Sequence, residues 1–146
     1  MVPHMALISI TRLRIRRWWF LPQFVFESLR SSKQAARADG NIHVALLRDR
    51  HLTFWTATSW TDEAAMKAFM HARPHGPVMR KLLEWCDEAS LVHWTQDGGE
   101  LPAWDEAHRR LEQQGRASKV HHPSAAHTAL KYPPPTSRGA AQSRLK

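Results

Sequence analysis

A chain of 146 residues with 42% hydrophobic content is one domain's worth of sequence and can bury a real core. Its net charge of +8 is uneven: Arg116, Lys119, Lys131, Arg138, Arg144 and Lys146 lie beyond the last acid and leave residues 1–115 near +2, which argues against a nucleic-acid platform. Cys86 is the only cysteine, which excludes an intrachain disulfide and a multi-cysteine zinc site and fits a cytoplasmic protein.

Met5 is an alternative start. Residues 6–15 are rich in Ile, Leu and Thr and read as a strand. The cluster Arg12, Arg14, Arg16 and Arg17 follows the apolar run at 6–10, which is not a signal-peptide layout. The apolar run at 18–26 is too short to span a bilayer and contains Pro22 and Gln23, so no membrane partner is expected. Leu21, Phe24, Val25, Ser28 and Leu29 then recur at helical spacing, with Pro22 in the first turn and Gly40 as the stop. Residues 42–48 and 52–60 are apolar and β-branched and make a hairpin across Asp49, Arg50 and His51.

Thr61 is expected to cap a second helix, with Asp62 and Glu63 in its first turn and Ala65, Met66, Phe69 and Met70 as its buried stripe. Pro74, Gly76 and Pro77 interrupt it, after which Val78, Met79, Leu82, Leu83 and Cys86 resume helical spacing. Residues 89–95 are a final strand. The order βαββαβ predicts an α+β, ferredoxin-like protomer with an antiparallel sheet and both helices on one face, over residues 5–96. Strands two and three carry large apolar groups on both parities, which two helices cannot cover. A second copy of the chain is the simplest cover, so a homodimer is expected, with a small apolar ligand as the competing cover. Residues 97–115 add a loop and a peripheral helix with Trp104, Ala107 and Leu111 on one stripe, ended by Gly115. Residues 116–146 are expected to be a disordered basic tail.

At this point the residues resemble a known group. Trp60, the helix that follows to Phe69, then His75, Val78, Met79, Arg80, Lys81, Trp85, Trp94, and Pro102 through Gly115 look like a bacterial family of unknown function. That family is similar to antibiotic-biosynthesis monooxygenases and to spheroidene monooxygenase. The resemblance implies a dimeric α+β barrel with a pocket between sheet and helices, and it carries over no activity.

His71 and His75 are spaced i,i+4, but Pro74 breaks their shared helical face and no third ligand is evident, so no metal is assigned. His75 is the candidate for proton transfer, because the family pattern places it. Trp55, Trp60, His71 and Arg80 are the candidate substrate-binding residues; for the tryptophans, core filler is the competing reading. Cys86 reads as a buried hydrophobe and not a nucleophile. No cofactor is assigned, and haem stays open because an axial histidine has no fixed sequence neighbours. Three functions are carried forward. One is a monooxygenase-like oxidoreductase acting on an apolar aromatic or polyenic molecule. Another is a non-catalytic small-molecule or haem-binding module. The last is an anion or nucleic-acid binder using the basic N-terminal strand and tail.

Overall fold

The computed structural model describes residues 5–72, 75–135 and 142–146, with backbone alone at 75–77. The elements are β1 (Met5–Ile15), a 3-10 turn (Trp18–Phe20), α1 (Leu21–Arg37), β2 (Asn41–Asp49), β3 (Thr53–Trp60), α2 (Glu63–His71), α3 (His75–Trp85), β4 (Cys86–Asp97), α4 (Trp104–Gln114), β5 (Arg116–Ala117), α5 (Ala125–Ala129) and β6 (Gln142–Arg144). They build a six-stranded antiparallel sheet in the order β5-β4-β1-β3-β2-β6. Its four long strands have the ferredoxin-like order expected from βαββαβ, and α1, α2 and α3 cover one face.

Alternation along each strand sorts the core into two sides. Leu7, Val44 and Trp60 face the helices and pack with Ala35 and Met66. Ile8, Ile10, Leu47, Trp55 and Val92 face the other way. Gly40 turns α1 into β2 at φ +85°, a left-handed conformation that glycine adopts without strain. A side chain there would also collide with Thr61 and Ala65.

Four expectations are corrected. Asp62, not Thr61, caps α2, its carboxylate accepting from the Ala65 N–H at 2.8 Å. Cys86 opens β4 instead of closing a helix, opposite Ile15 in the β1–β4 register. On α1 the buried residues are Phe24, Glu27, Ser31, Ser32 and Ala35, whereas Val25 and Leu29 of the predicted stripe are exposed beside Phe26. Trp18 and Trp19 just ahead of the helix are exposed as well.

The largest correction concerns the second sheet face. The chain supplies its own third layer there: Trp104, Ala107 and Leu111 of α4 and the buried Tyr132 pack onto Ile8, Ile10, Trp55 and Trp94. Residues 116–135, expected to be disordered, therefore carry β5 and α5 and bury Val120, His127 and Tyr132. The physical reason is that a few well-placed groups suffice when the receiving face is already ordered. The Ala89 N–H donates to His127 Nδ1 at 3.2 Å, and the Tyr132 hydroxyl bonds Ser90 Oγ.

This layer also closes over a buried ion cluster. Arg12, only 3% exposed, donates to Glu88 at 2.5 Å, and Glu88 takes further hydrogen bonds from Arg14 at 2.9 Å and Ser124 at 2.8 Å. The Arg12 guanidinium lies 4.0 Å from the Tyr132 ring centre. Among the described residues no helix is long and apolar enough to cross a membrane.

Candidate functional site

The helix-facing side of the sheet does not fill completely. Between it and α1, α2 and α3 lies a cavity of about 200 Å³. The reason is chemical: where the other sheet face has Ile, Leu and Trp, this floor has short polar side chains. Ser9 stands opposite both Thr58 of β3 and His93 of β4, so the three form a row across neighbouring strands. Thr11 and Thr56, also paired, lie one step along.

The walls are different. Met66, Phe69 and Met70 of α2 and Val78, Met79 and Leu82 of α3 give an apolar, adaptable lining. Trp60 closes one end, fully buried, stacked on Phe69 at 5.3 Å between ring centres, its indole N–H donating to Thr58 Oγ1 at 2.9 Å. From α1 come Phe24, Ser28, Ser31 and Ser32. Ser31 is 9% exposed, and its hydroxyl has no hydrogen-bond partner among the described residues. A buried orphan hydroxyl on a cavity wall is a group that a ligand can satisfy.

Among the described residues His93 is the one ionisable side chain in the lining. Burial pushes its pKa down, the Arg116 charge lowers it further, and Glu63 opposes both weakly. Its imidazole is therefore neutral near pH 7, the form that accepts a proton. A sequence reading passed over His93. The signal was available: it shares its strand parity with Leu91, on the helix-facing side of β4.

Of the predicted site residues, Trp60 lines the cavity. Trp55 lies five residues earlier on the same strand, hence on the opposite face, where it is fully buried in the core and donates to Asp49 at 3.2 Å. His71 and Arg80 are exposed on α2 and α3 and line no part of the cavity. His75 opens α3, but its side chain lies outside the described residues. Among the described residues no group of three or more His, Cys, Asp and Glu gathers to hold a metal.

The basic N-terminal cluster is also resolved. Arg12 and Arg14 pair with Glu88, and Arg16 pairs with Glu84 at 2.6 Å. The charge of these three is met within the fold, with Asp87 also near Arg14 at 3.9 Å, whereas Arg17 is exposed and among the described residues bonds only the Arg16 carbonyl. Cys86 is fully buried, and desolvation, aided by Asp87, pushes its thiol pKa up to about 12, which leaves it protonated and unreactive.

The profile of a family described as "Domain of unknown function (DUF3291)" matches residues 20–134. No curated protein matches the chain. Solved structures do. A variant of SnoaB from Streptomyces nogalater, described as a cofactor-independent oxygenase, is 18% identical over 65% of this chain and 94% of its own, with a TM-score of 0.51. A Nitrosomonas europaea protein provisionally assigned as an antibiotic biosynthesis monooxygenase is 14% identical over 67% of this chain and 93% of its own, with a TM-score of 0.55. PA3566 from Pseudomonas aeruginosa is 14% identical over 67% of this chain and 100% of its own, at 0.58. These identities speak to the fold alone, which is monooxygenase-like.

Proposed function

This chain belongs to the DUF3291 family, and we propose that it is an oxygenase that oxidises a small aromatic phenol in the cavity below α1, α2 and α3. The observation that carries this reading is the neutral His93 among otherwise apolar and hydroxyl groups in a partly open cavity. The size supports a one- or two-ring ligand: a cavity of about 150 Å³ is known to take benzene, and this one is about 200 Å³. A long polyene or a large polycycle is disfavoured on the same ground.

The chemistry needs no outside reductant. A phenol passes to a quinone when a ring C–H and the O–H both become carbonyls. One oxygen atom of O₂ enters the ring, and the other leaves with the two hydrogens as water. His93 takes the phenolic proton, making the ring electron-rich enough to reduce O₂, while Ser9, Thr58 and Ser31 hydrogen-bond the oxygen functions. His75, at the start of α3, is the second candidate for the proton transfer. Trp60 and Phe24 supply flat contact surface for the ring.

The test is oxygen uptake and product mass with a panel of naphthols and hydroquinones. His93→Ala should abolish turnover while leaving binding within a few-fold, and His75→Ala should then be nearly silent. Loss only in His75→Ala would move the base to that position. Binding without any turnover across the panel would favour the non-catalytic ligand-binding module.

A homodimer belongs to the same reading, through a surface other than the sheet face that α4 and Tyr132 cover. The exposed Trp18, Trp19, Phe26 and Leu29 support it, since apolar patches of this kind mark contact sites. A monomer by sedimentation at micromolar concentration would remove the dimer and leave the cavity reading intact.

A further inference from the structure

The outer side of the cavity wall carries a second feature. Between α1 and α2 runs an open groove of about 680 Å³. Its α1 wall is cationic, with Arg30, Lys33 and Arg37 on successive turns, all exposed. Its α2 wall is small and apolar, formed by Ala65, Ala68 and Ala72. Among the described residues Asp39 is the only acid in the lining. A cation at a helix C-terminus is expected from the helix dipole, which accounts for Arg37. Arg30 and Lys33 sit too far back for that. Arg30 reaches Glu27 only at 3.4 Å, and Glu27 faces inward.

Phe69 joins the two spaces. It lines the groove and also lines the cavity, with Trp60 stacked behind it. One aromatic residue on α2 thus borders both an apolar chamber and a basic, open groove. A ligand with an apolar body and an anionic end matches both environments at once.

We propose that the groove is the subsite for the anionic end of the ligand whose ring occupies the cavity, so that the ligand class is a small aromatic acid. This rests on the cavity reading above and narrows it from any small phenol to one that also bears a carboxylate. Arg30, Lys33 and Arg37 hold the carboxylate, and the alanines of α2 leave room for it beside the helix. Phe69 swings aside so that a carboxylate carried on the edge of the ring reaches the groove. The exposed cations are screened by water, so their effect on affinity is moderate and salt-sensitive.

The experiment compares 2-naphthoate with its neutral near-isostere 2-naphthamide by isothermal titration calorimetry on the full chain. Naphthoate should bind about tenfold more tightly at low salt, the advantage of two partly screened ion pairs, and lose most of that advantage in 0.5 M salt. A Lys33→Gln/Arg37→Gln variant, changed only at exposed positions, should erase the preference while binding naphthamide as the parent does. Phe69→Ala, which widens the way between the two spaces, should speed association of both compounds in stopped-flow tryptophan fluorescence, and an unchanged rate would remove Phe69 from the path. Equal affinities for the two compounds, or equal loss of both in the double variant, would overturn the subsite and leave the cavity standing. Binding of neither would remove the cavity reading and the subsite with it.

Discussion

Replacing Glu88 by Gln tests the internal logic of the fold. The substitution keeps the shape of the side chain and removes its charge. Arg12 then remains a guanidinium at 3% exposure with no counter-ion in contact, apart from the Tyr132 ring 4.0 Å away. Breaking one side of a buried ion pair costs about 3–5 kcal/mol, mostly the penalty of the stranded charge. The amide still accepts a hydrogen bond, so the lower end, about 3 kcal/mol, is expected. For a chain of this size that lowers Tm by roughly 6–12 °C. Urea unfolding followed by circular dichroism gives the value directly. The companion Arg12→Met/Glu88→Leu removes both charges and should lie within about 1 kcal/mol of the parent. The pair also predicts a pH dependence. Burial raises the pKa of Glu88, but the hydrogen bonds from Arg12, Ser124 and Arg14 outweigh it and hold the carboxyl below its ordinary value of 4.5. A depressed carboxyl contributes stability above its unfolded pKa and loses it as the pH falls through the folded one. The parent should therefore weaken below about pH 4.5, and the double variant should lack that component. A cost under about 1 kcal/mol for Glu88→Gln would refute the reasoning, because Arg12 would then be hydrated and the C-terminal layer not closed over it.

Other expectations follow from the same description. Gly40→Ala should lower stability by at least about 1 kcal/mol, since the left-handed backbone is strained for alanine and its Cβ would stand 2.5 Å from Ala65 Cβ; a thermal melt equal to the parent's would contradict this. Cys86, with its thiol pushed up to about 12, should resist iodoacetamide at pH 8 in the folded protein and react readily in urea. Fast labelling of the native form would mean that β4 opens at its start. Deleting residues 116–146 should produce aggregation or a large loss of stability, because it uncovers Ile10, Trp55 and Val92 and removes Ser124 and Tyr132 from the ion cluster. A well-folded deletion variant would restore the tail to the status that its composition suggests.

The strands were legible because alternation survives in them: β1, the β2–β3 hairpin and β4 fall where β-branched and apolar residues cluster. Helix α1 was legible as a helix but not in its facing. Apolar spacing chose Val25 and Leu29, while the inward side carries Ser28, Ser31 and Ser32 where it borders a cavity and not a filled core. The rule that apolar means inside fails here because the inward side lines a cavity floored by hydroxyl groups, while Val25, Phe26 and Leu29 point outward. Trp55 and Trp60 stand at opposite parities of one strand, so strand geometry already separated them, yet aromatic composition alone grouped them. Residues 116–135 read as disordered because composition counts groups and not partners. Tyr132 and His127 are ordered by Ser90 and Ala89, which are far away in sequence.

The ion cluster has a consequence for how the chain is made. Arg12 and Glu88 are 76 residues apart in sequence, so during synthesis at roughly 5–20 residues per second the arginine waits about 4–15 s for its partner. Until then β1 can pair with β3, but the counter-ion Glu88 and the covering Tyr132 of Arg12 are not yet made. An unpaired cation is costly to bury, so burial of that face is disfavoured until β4 and the C-terminal layer are in place.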